Sequence, residues 1–405
     1  MNDADKLIRA AEEECADAFR KFEDNEIVNT KKILDAYKSH GVSYRFFAPT
    51  TGYGYDDIGR DTLSEIYAEV FGTESAIVRP QITCGTHALA LCLFGILRPG
   101  DTLLSAAGLP YDTLGDIIGL TGKSGDGSLR DMGINYRQVD LKDGKPDIPA
   151  IIDALDDSVK LVLVQRSRGY DWRPSLSVDE INEVAAAVHA HSKTACVMAD
   201  NCYGEFTDTR EPDVDIFAGS LIKNPGGGLA PTGGYFAGKR EYVERVAYRL
   251  TCPGLGSEVG SYAGSYRPFY QGLFMAPHTV CQALKVGALF ARVFEKMGYD
   301  VHPKFDGCRN DIIQAIRFGD PDKLIRFIQC VQEFSPIDSQ AVPEPWDMPG
   351  YQDKVIMAAG TFVAGASVEL SADAPIRPPY TAYLQGALTY AHGKIVLREM
   401  LEKGI

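Results

Sequence analysis

Gly219-Ser220-Leu221-Ile222-Lys223-Asn224-Pro225-Gly226-Gly227-Gly228 places one amine among small and turn-forming residues. A lysine set between a serine and a run of glycines is poor material for a helix interior or an apolar core. It suits an amine held in place by backbone packed closely around it. Upstream, Thr194-Ala195-Cys196-Val197-Met198-Ala199 is a short apolar run of strand type that ends in Asp200-Asn201. An aspartate closing a buried strand is costly unless something pairs with it.

The two features together predict a seat for pyridoxal phosphate. Lys223 would form the Schiff base with the aldehyde, and Asp200 would keep the pyridine nitrogen protonated. Freed by a substrate amine, Lys223 becomes a base for the Cα proton. Thr83-Cys84-Gly85-Thr86-His87 joins a strand to a helix start, so Gly85 lets backbone approach an anion and Thr86 offers a hydroxyl. A capped helix after a turn explains the same residues when they are read alone. Ser220 is a second hydroxyl for the same phosphate. Tyr111 follows the extended run Thr102–Ala106 and is expected to stack on the ring. His87 reads as a structural imidazole more readily than as a group that polarises the cofactor. The remaining histidines have no metal-ligand spacing, so no metal site is expected.

Around this centre, short apolar runs stand at Ala76–Val78, Thr102–Ser105, Lys160–Val164, Ala195–Ala199 and Gly234–Ala237. Helical patterns separate them at Thr86–Leu97, Val178–Ala190 and Arg240–Leu250. That alternation predicts an α/β fold: a mainly parallel central sheet with helices on both faces. Ligands of such sheets bind at the carboxyl ends of the strands, where Asp200 falls. The expected organisation is an N-terminal helical arm over 1–45, a large domain over 46–255 and a smaller C-terminal α+β domain over 256–405. In the arm, Leu7, Ala11, Cys15, Phe19 and Phe22 recur at helical spacing, too narrow a stripe to fold alone. Residues 44–60 read as a loop. The last third is expected to hold a helix over Gln282–Lys296, strands at Lys354–Ala358 and Ser367–Leu370, and a final helix over Leu384–Glu402.

The chain has 405 residues, a formal net charge of -14 and a charged fraction of 24%. That balance is of an ordinary soluble domain and argues against nucleic acid as a partner. No apolar stretch long enough for a membrane span is expected, and the acidic N-terminus lacks the apolar core of a signal peptide. Nine cysteines at irregular spacings suggest neither zinc nor a disulfide framework, so a reducing cytoplasm is the expected home.

Gly85-Thr86, Tyr111, Asp200 and Ser220-x-x-Lys223 resemble the fold-type I pyridoxal phosphate enzymes of cysteine and methionine metabolism, the cystathionine γ-synthase and lyase and methionine γ-lyase group. Four longer strings resemble its aluminium-resistance, methionine γ-lyase-like branch. They are Thr51–Leu63 (TGYGYDDIGRDTL), Val164–Tyr170 (VQRSRGY), Pro343–Tyr351 (PEPWDMPGY) and Glu369–Tyr380 (ELSADAPIRPPY). The resemblance covers nearly the whole chain.

It implies a loop reaching the cofactor phosphate from a neighbouring subunit. Tyr53 and Tyr55 are the candidate tyrosines and Arg60 the candidate cation, without the strict Tyr-x-Arg spacing of that group. It also implies an arginine for the substrate carboxylate, which Arg377 best matches; Arg168, because it follows a strand at the same sheet edge, is a second candidate. A homo-oligomer, dimer or tetramer, with shared active sites follows. The expected activity is carbon–sulfur lysis of a small-molecule sulfur amino acid, with Tyr111 protonating the leaving thiol. Another lyase or transferase outcome, or a non-catalytic oligomer of the same fold, stays open.

Overall fold

The computed structural model describes residues 3–348 and 351–405. Met1, Asn2, Pro349 and Gly350 lie outside the described residues, the last two within one of the quoted strings.

The chain opens with α1 (Asp3–Ser39), whose buried residues Ile8, Ala11, Cys15, Ile33 and Ala36 face the body of the protein. Ile8 and Ala11 enter one apolar cluster, Ile33 and Ala36 another, so the arm straps two cores together. The short apolar runs then become β1 (Ser75–Arg79), β2 (Thr102–Ser105), β3 (Asn135–Gln138), β4 (Val159–Gln165), β5 (Cys196–Asp200), β6 (Ile216–Ser220) and β7 (Gly234–Gly238). Before them lies α2 (Ile58–Phe71), and between and after them lie α3 (Gly85–Ile96), α4 (Leu114–Ile118), α5 (Ile148–Asp153), α6 (Val178–His191) and α7 (Arg240–Leu250). The strands form one sheet in the order β1-β7-β6-β5-β4-β2-β3. Among the described residues only β7 runs against the rest.

Alternation along the central strands sends side chains to opposite faces. Val162, Val164, Val197 and Ala199 pack with α2 and α6, whereas Leu161, Leu163, Cys196 and Met198 pack with α3 and α7. Both faces are therefore covered, which is why the strands read as continuous apolar runs. The expected mainly parallel, two-face-covered architecture is the one observed.

The second sheet is antiparallel, built from β8 (Asp300–His302), β9 (Ile313–Arg317), β10 (Val355–Ala358), β11 (Ser371–Pro375) and β12 (Thr381–Gln385) in the order β10-β11-β12-β9-β8. It packs with α9 (Pro321–Glu333) and α10 (Tyr390–Glu402). The long helix α8 (Arg267–Lys296) joins the two units. Its first half enters the core of the large sheet and its second half that of the small one. By length and composition α8 could cross a bilayer, but 72% of its apolar window is buried inside the protein.

Three expectations are corrected here. The helix expected from Gln282 begins at Arg267, because Pro277 does not interrupt a helix packed on both sides. The strand expected at Ser367–Leu370 lies at Ser371–Pro375, a small-residue segment that tertiary pairing with β10 and β12 extends. The helix expected from Leu384 starts at Tyr390, capped by Thr389, and Thr381–Gln385 is strand instead.

Candidate active site

Register brings the carboxyl ends of three strands to one edge. Gln165 pairs across to Asp200, and Asp200 to Ala218, with Ser220 closing β6 two residues later. Lys223 follows on the next turn. Asp200 and Lys223, separate in sequence, therefore line one small recess with Tyr111, Gln165, Ser167, Cys202 and Tyr203. The recess adjoins a cavity of about 200 Å³ that Lys223 also lines.

The turn bearing Lys223 is shaped by close backbone contact. A Cβ on Gly226 would sit 1.7 Å from the Leu221 carbonyl oxygen, and one on Gly227 would sit 2.3 Å from the Gly272 oxygen of α8. A side chain at 226 would open the turn itself, and one at 227 would force it off the helix. The Lys223 ammonium stands 4.0 Å from the centre of the Tyr203 ring. Tyr203 itself holds a left-handed backbone, φ 70°, in the turn after β5. Asn224 clamps that turn by donating from Nδ2 to the carbonyls of Tyr203 and Glu205, both at 2.9 Å.

Burial pushes the Lys223 ammonium down, and Cys202, Tyr203, Asp200 and Glu205 around it push it up by more. Burial raises Asp200, and Lys223 opposes that rise. Asp200 Oδ1 accepts from the Cys202 amide at 3.1 Å. A carboxylate so deeply buried favours a cationic N–H partner, the chemistry of a protonated pyridine.

An anion seat stands at the other end. Cys84 caps α3, its sulfur accepting from the His87 amide, and the first-turn amides of Gly85 and Thr86 have no intrahelical partner. A Cβ on Gly85 would lie 3.3 Å from that of Ser220, so the helix start and the end of β6 touch. Thr86 and Thr113 hydroxyls are 3.0 Å apart and line the same cavity. Three hydroxyls and a helix N-terminus fit a phosphate. His87 stays outside this set, its Nδ1 accepting from the Thr83 amide at 3.1 Å.

Gly85, Thr86, Tyr111, Asp200, Ser220 and Lys223 are thus brought together. The other five candidates, Tyr53, Tyr55, Arg60, Arg168 and Arg377, stand elsewhere in the chain's own structure. Arg60 is buried, donating to the Gly54 carbonyl at 2.8 Å and to Asp61 at 2.7 Å, and it lines a separate cavity with Arg79. Tyr55 is 58% exposed and stacks on Tyr53. Arg168 is buried against the His302 carbonyl (2.9 Å) and Asp311 (3.6 Å). Arg377 pairs with Asp353 at 2.8 Å. Arg168 and Arg377 share a neighbouring cavity bordered by Tyr111 and Tyr170.

The structure adds cavity residues that sequence reasoning missed as site residues: Tyr203, Tyr351, Asp373 and Gln385. Tyr351 and Asp373 lie inside the quoted strings Pro343–Tyr351 and Glu369–Tyr380, a signal that could have singled them out. Nothing local marks Tyr203.

The methionine gamma-lyase family matches residues 4–405. The chain belongs to that family. It is 51% identical over 393 residues to the uncharacterized protein YnbB of Bacillus subtilis (strain 168), covering 96% of this chain and 93% of that protein. A crystal structure of a carbon-sulfur lyase involved in aluminum resistance from Clostridium novyi NT is 50% identical, covers 100% of this chain and 97% of its own, and superposes with a TM-score of 0.96. The pyridoxal-5'-phosphate dependent protein YhfS of Escherichia coli, 15% identical, shares the fold over 94% of this chain and 97% of its own, with a TM-score of 0.64. The methionine gamma-lyase family member described here therefore has the fold-type I architecture of pyridoxal phosphate enzymes.

Proposed function

We propose that this chain is a pyridoxal phosphate-dependent carbon–sulfur lyase acting by β- or γ-elimination on a small sulfur amino acid such as cystathionine, methionine or cysteine. The observation that carries the reading is the convergence of Lys223 and Asp200 on one recess that opens toward the Gly85, Thr86 and Ser220 seat. Gly85, Thr86, Thr113 and Ser220 would hold the phosphate, Asp200 the ring nitrogen and Lys223 the aldehyde. When bound, the cofactor supplies an electron sink for charge that develops at the substrate Cα.

The protein's own part is proton handling and orientation. Lys223, once displaced from the aldehyde, takes the Cα proton as a base. Tyr111 is held neutral, because burial pushes its phenol up, so it has a proton to give to a departing sulfur. Its amide donates to Gln165 Oε1 at 2.6 Å, fixing the loop that carries it to the end of β4. We further propose a cytoplasmic homo-oligomer with shared sites. The exposed Tyr53 and Tyr55 support it, on a loop that Arg60 holds in place.

Purified protein is expected to be yellow with pyridoxal phosphate bound, and Lys223→Ala to lose both that absorbance and thiol release. A colourless wild type that ignores added pyridoxal phosphate would falsify the assignment. Bound cofactor with no thiol from any sulfur amino acid would reject the lyase activity alone.

A further inference from the structure

Lys223 Nζ rests on an aromatic face. The ammonium stands 4.0 Å from the centre of the Tyr203 ring, and both residues line the same cavity. Among the described residues Nζ has no hydrogen-bonded acceptor and no ion-pair partner, and Asp200 and Glu205 act on it only as more distant charges. The negative face of a ring attracts an ammonium and has nothing comparable to offer an uncharged nitrogen. Contact with Tyr203 therefore favours the proton-carrying form of Lys223 over the free amine.

The ring is fixed by the turn that carries the lysine. Tyr203 keeps φ 70°, a left-handed backbone that a bulky side chain adopts only where its surroundings impose it. Asn224, next in sequence to Lys223, imposes it by donating from Nδ2 to the Tyr203 carbonyl at 2.9 Å. From the other side Ser367 donates to the Tyr203 hydroxyl at 3.2 Å. A ring that only fills a core needs no such backbone. One that must lie against a particular amine does.

We propose that Tyr203 is a positioning residue whose ring holds Lys223 in its ammonium form whenever the amine is off the aldehyde. In the proton transfer the substrate Cα–H bond breaks, the proton passes to Nζ and the electron pair stays with Cα. The ring then keeps the loaded Nζ where it received that proton. This role rests on the pyridoxal phosphate reading and not on the sulfur chemistry.

It is tested on the full chain freed of cofactor, with Tyr203→Phe and with phenylalanines bearing one, two and three ring fluorines at the same position. Tyr203→Phe gives up only the Ser367 hydrogen bond, and fluorine draws charge off the ring face while barely altering its shape. The rate at which pyridoxal phosphate joins Lys223 is read by absorbance at pH 8. In that step nitrogen bonds to the aldehyde carbon and water leaves. Only the uncharged amine attacks, so a weaker hold on the ammonium must speed it.

Tyr203→Phe is expected to stay within about twofold of wild type, and three fluorines to quicken attachment about tenfold, moving the pH midpoint down by about one unit. A merely structural role predicts the opposite sign, since a loosened turn slows attachment. Rates that stay level or fall as fluorines are added overturn the proposal and leave the cofactor reading intact. A wild type that never joins pyridoxal phosphate overturns both.

Discussion

The hydroxyl of Tyr111 stands 2.6 Å from that of Tyr351, joining the loop after β2 to the segment that leads into β10. Burial pushes Tyr111 up and Tyr351 up to about 12, so both phenols keep their protons at working pH. A pair of neutral phenols in contact can pass a proton along. The contact also ties the large unit to the small one across the cavity mouth.

If Tyr111 gives the proton and Tyr351 resupplies it, the two removals are unequal. Tyr111→Phe is expected to lower kcat by about 10²-fold or more, the usual scale for loss of a general acid. Tyr351→Phe keeps the ring contacts with Tyr111 and Tyr170 and should cost about tenfold, ~1.4 kcal/mol in the barrier. The double variant should match Tyr111→Phe alone, because the two act in series. Additive losses in steady-state kcat would show that the hydroxyls act independently.

The turn carrying Lys223 leans on α8 through glycines. A Cβ on Gly272 would meet the Gly226 carbonyl oxygen at 2.3 Å. Gly272→Ala is therefore expected to destabilise the protein by about 1–3 kcal/mol, an overpacking cost. Cofactor absorbance should weaken with it, since the displaced segment is the one holding Lys223. Urea unfolding followed by fluorescence checks the first part. A midpoint unchanged from wild type would mean the helix moves aside without cost.

Glu205 carries the clearest pH signature. It is fully buried, accepts from the Tyr235 hydroxyl at 2.6 Å, and burial pushes its carboxyl up to about 8. Between its unfolded value, 4.5, and 8 the folded state holds a proton that the unfolded state has lost. Stability must then fall as pH rises through that window, by up to about 1.4 kcal/mol per pH unit for this group, and level off above it. Glu205→Gln keeps an acceptor for Tyr235 and removes the titration. The variant is expected to lose less stability than wild type between pH 5 and pH 8. Equal slopes in urea unfolding at the two pH values would place the titration elsewhere.

Much of the large sheet was legible because its strands are buried on both faces. Val162, Leu163, Val197 and Met198 all need apolar contact, so no polar residue interrupts the pattern. The segment Ile216–Ser220 escaped, since Phe-Ala-Gly-Ser reads as part of the glycine-rich turn until its pairing with β5 and β7 is seen. The C-terminal sheet was harder. Ser371–Pro375 consists of small and polar residues plus a proline, the composition of a loop, yet every one of them is buried. Its extended form comes from neighbours on both sides, not from its own preference.

In the site, Asp200 and Lys223 stood out because each is chemically misplaced in its local sequence: a carboxylate ending a buried strand, an amine among glycines. That misfit is written in the order of residues, and it points to the same cavity the fold builds. Tyr203, Tyr351 and Asp373 carry no such mark. The positive φ of Tyr203 comes from a turn clamped by Asn224, and Asp373 is buried by strands paired on either side of it. The architecture and the two ends of the proposed cofactor seat are legible in the order of residues, because both follow from local patterns of burial and charge. Which side chains complete the cavity was decided only by tertiary structure, since packing of the two sheets about α8 brings together residues that have no local relation to one another.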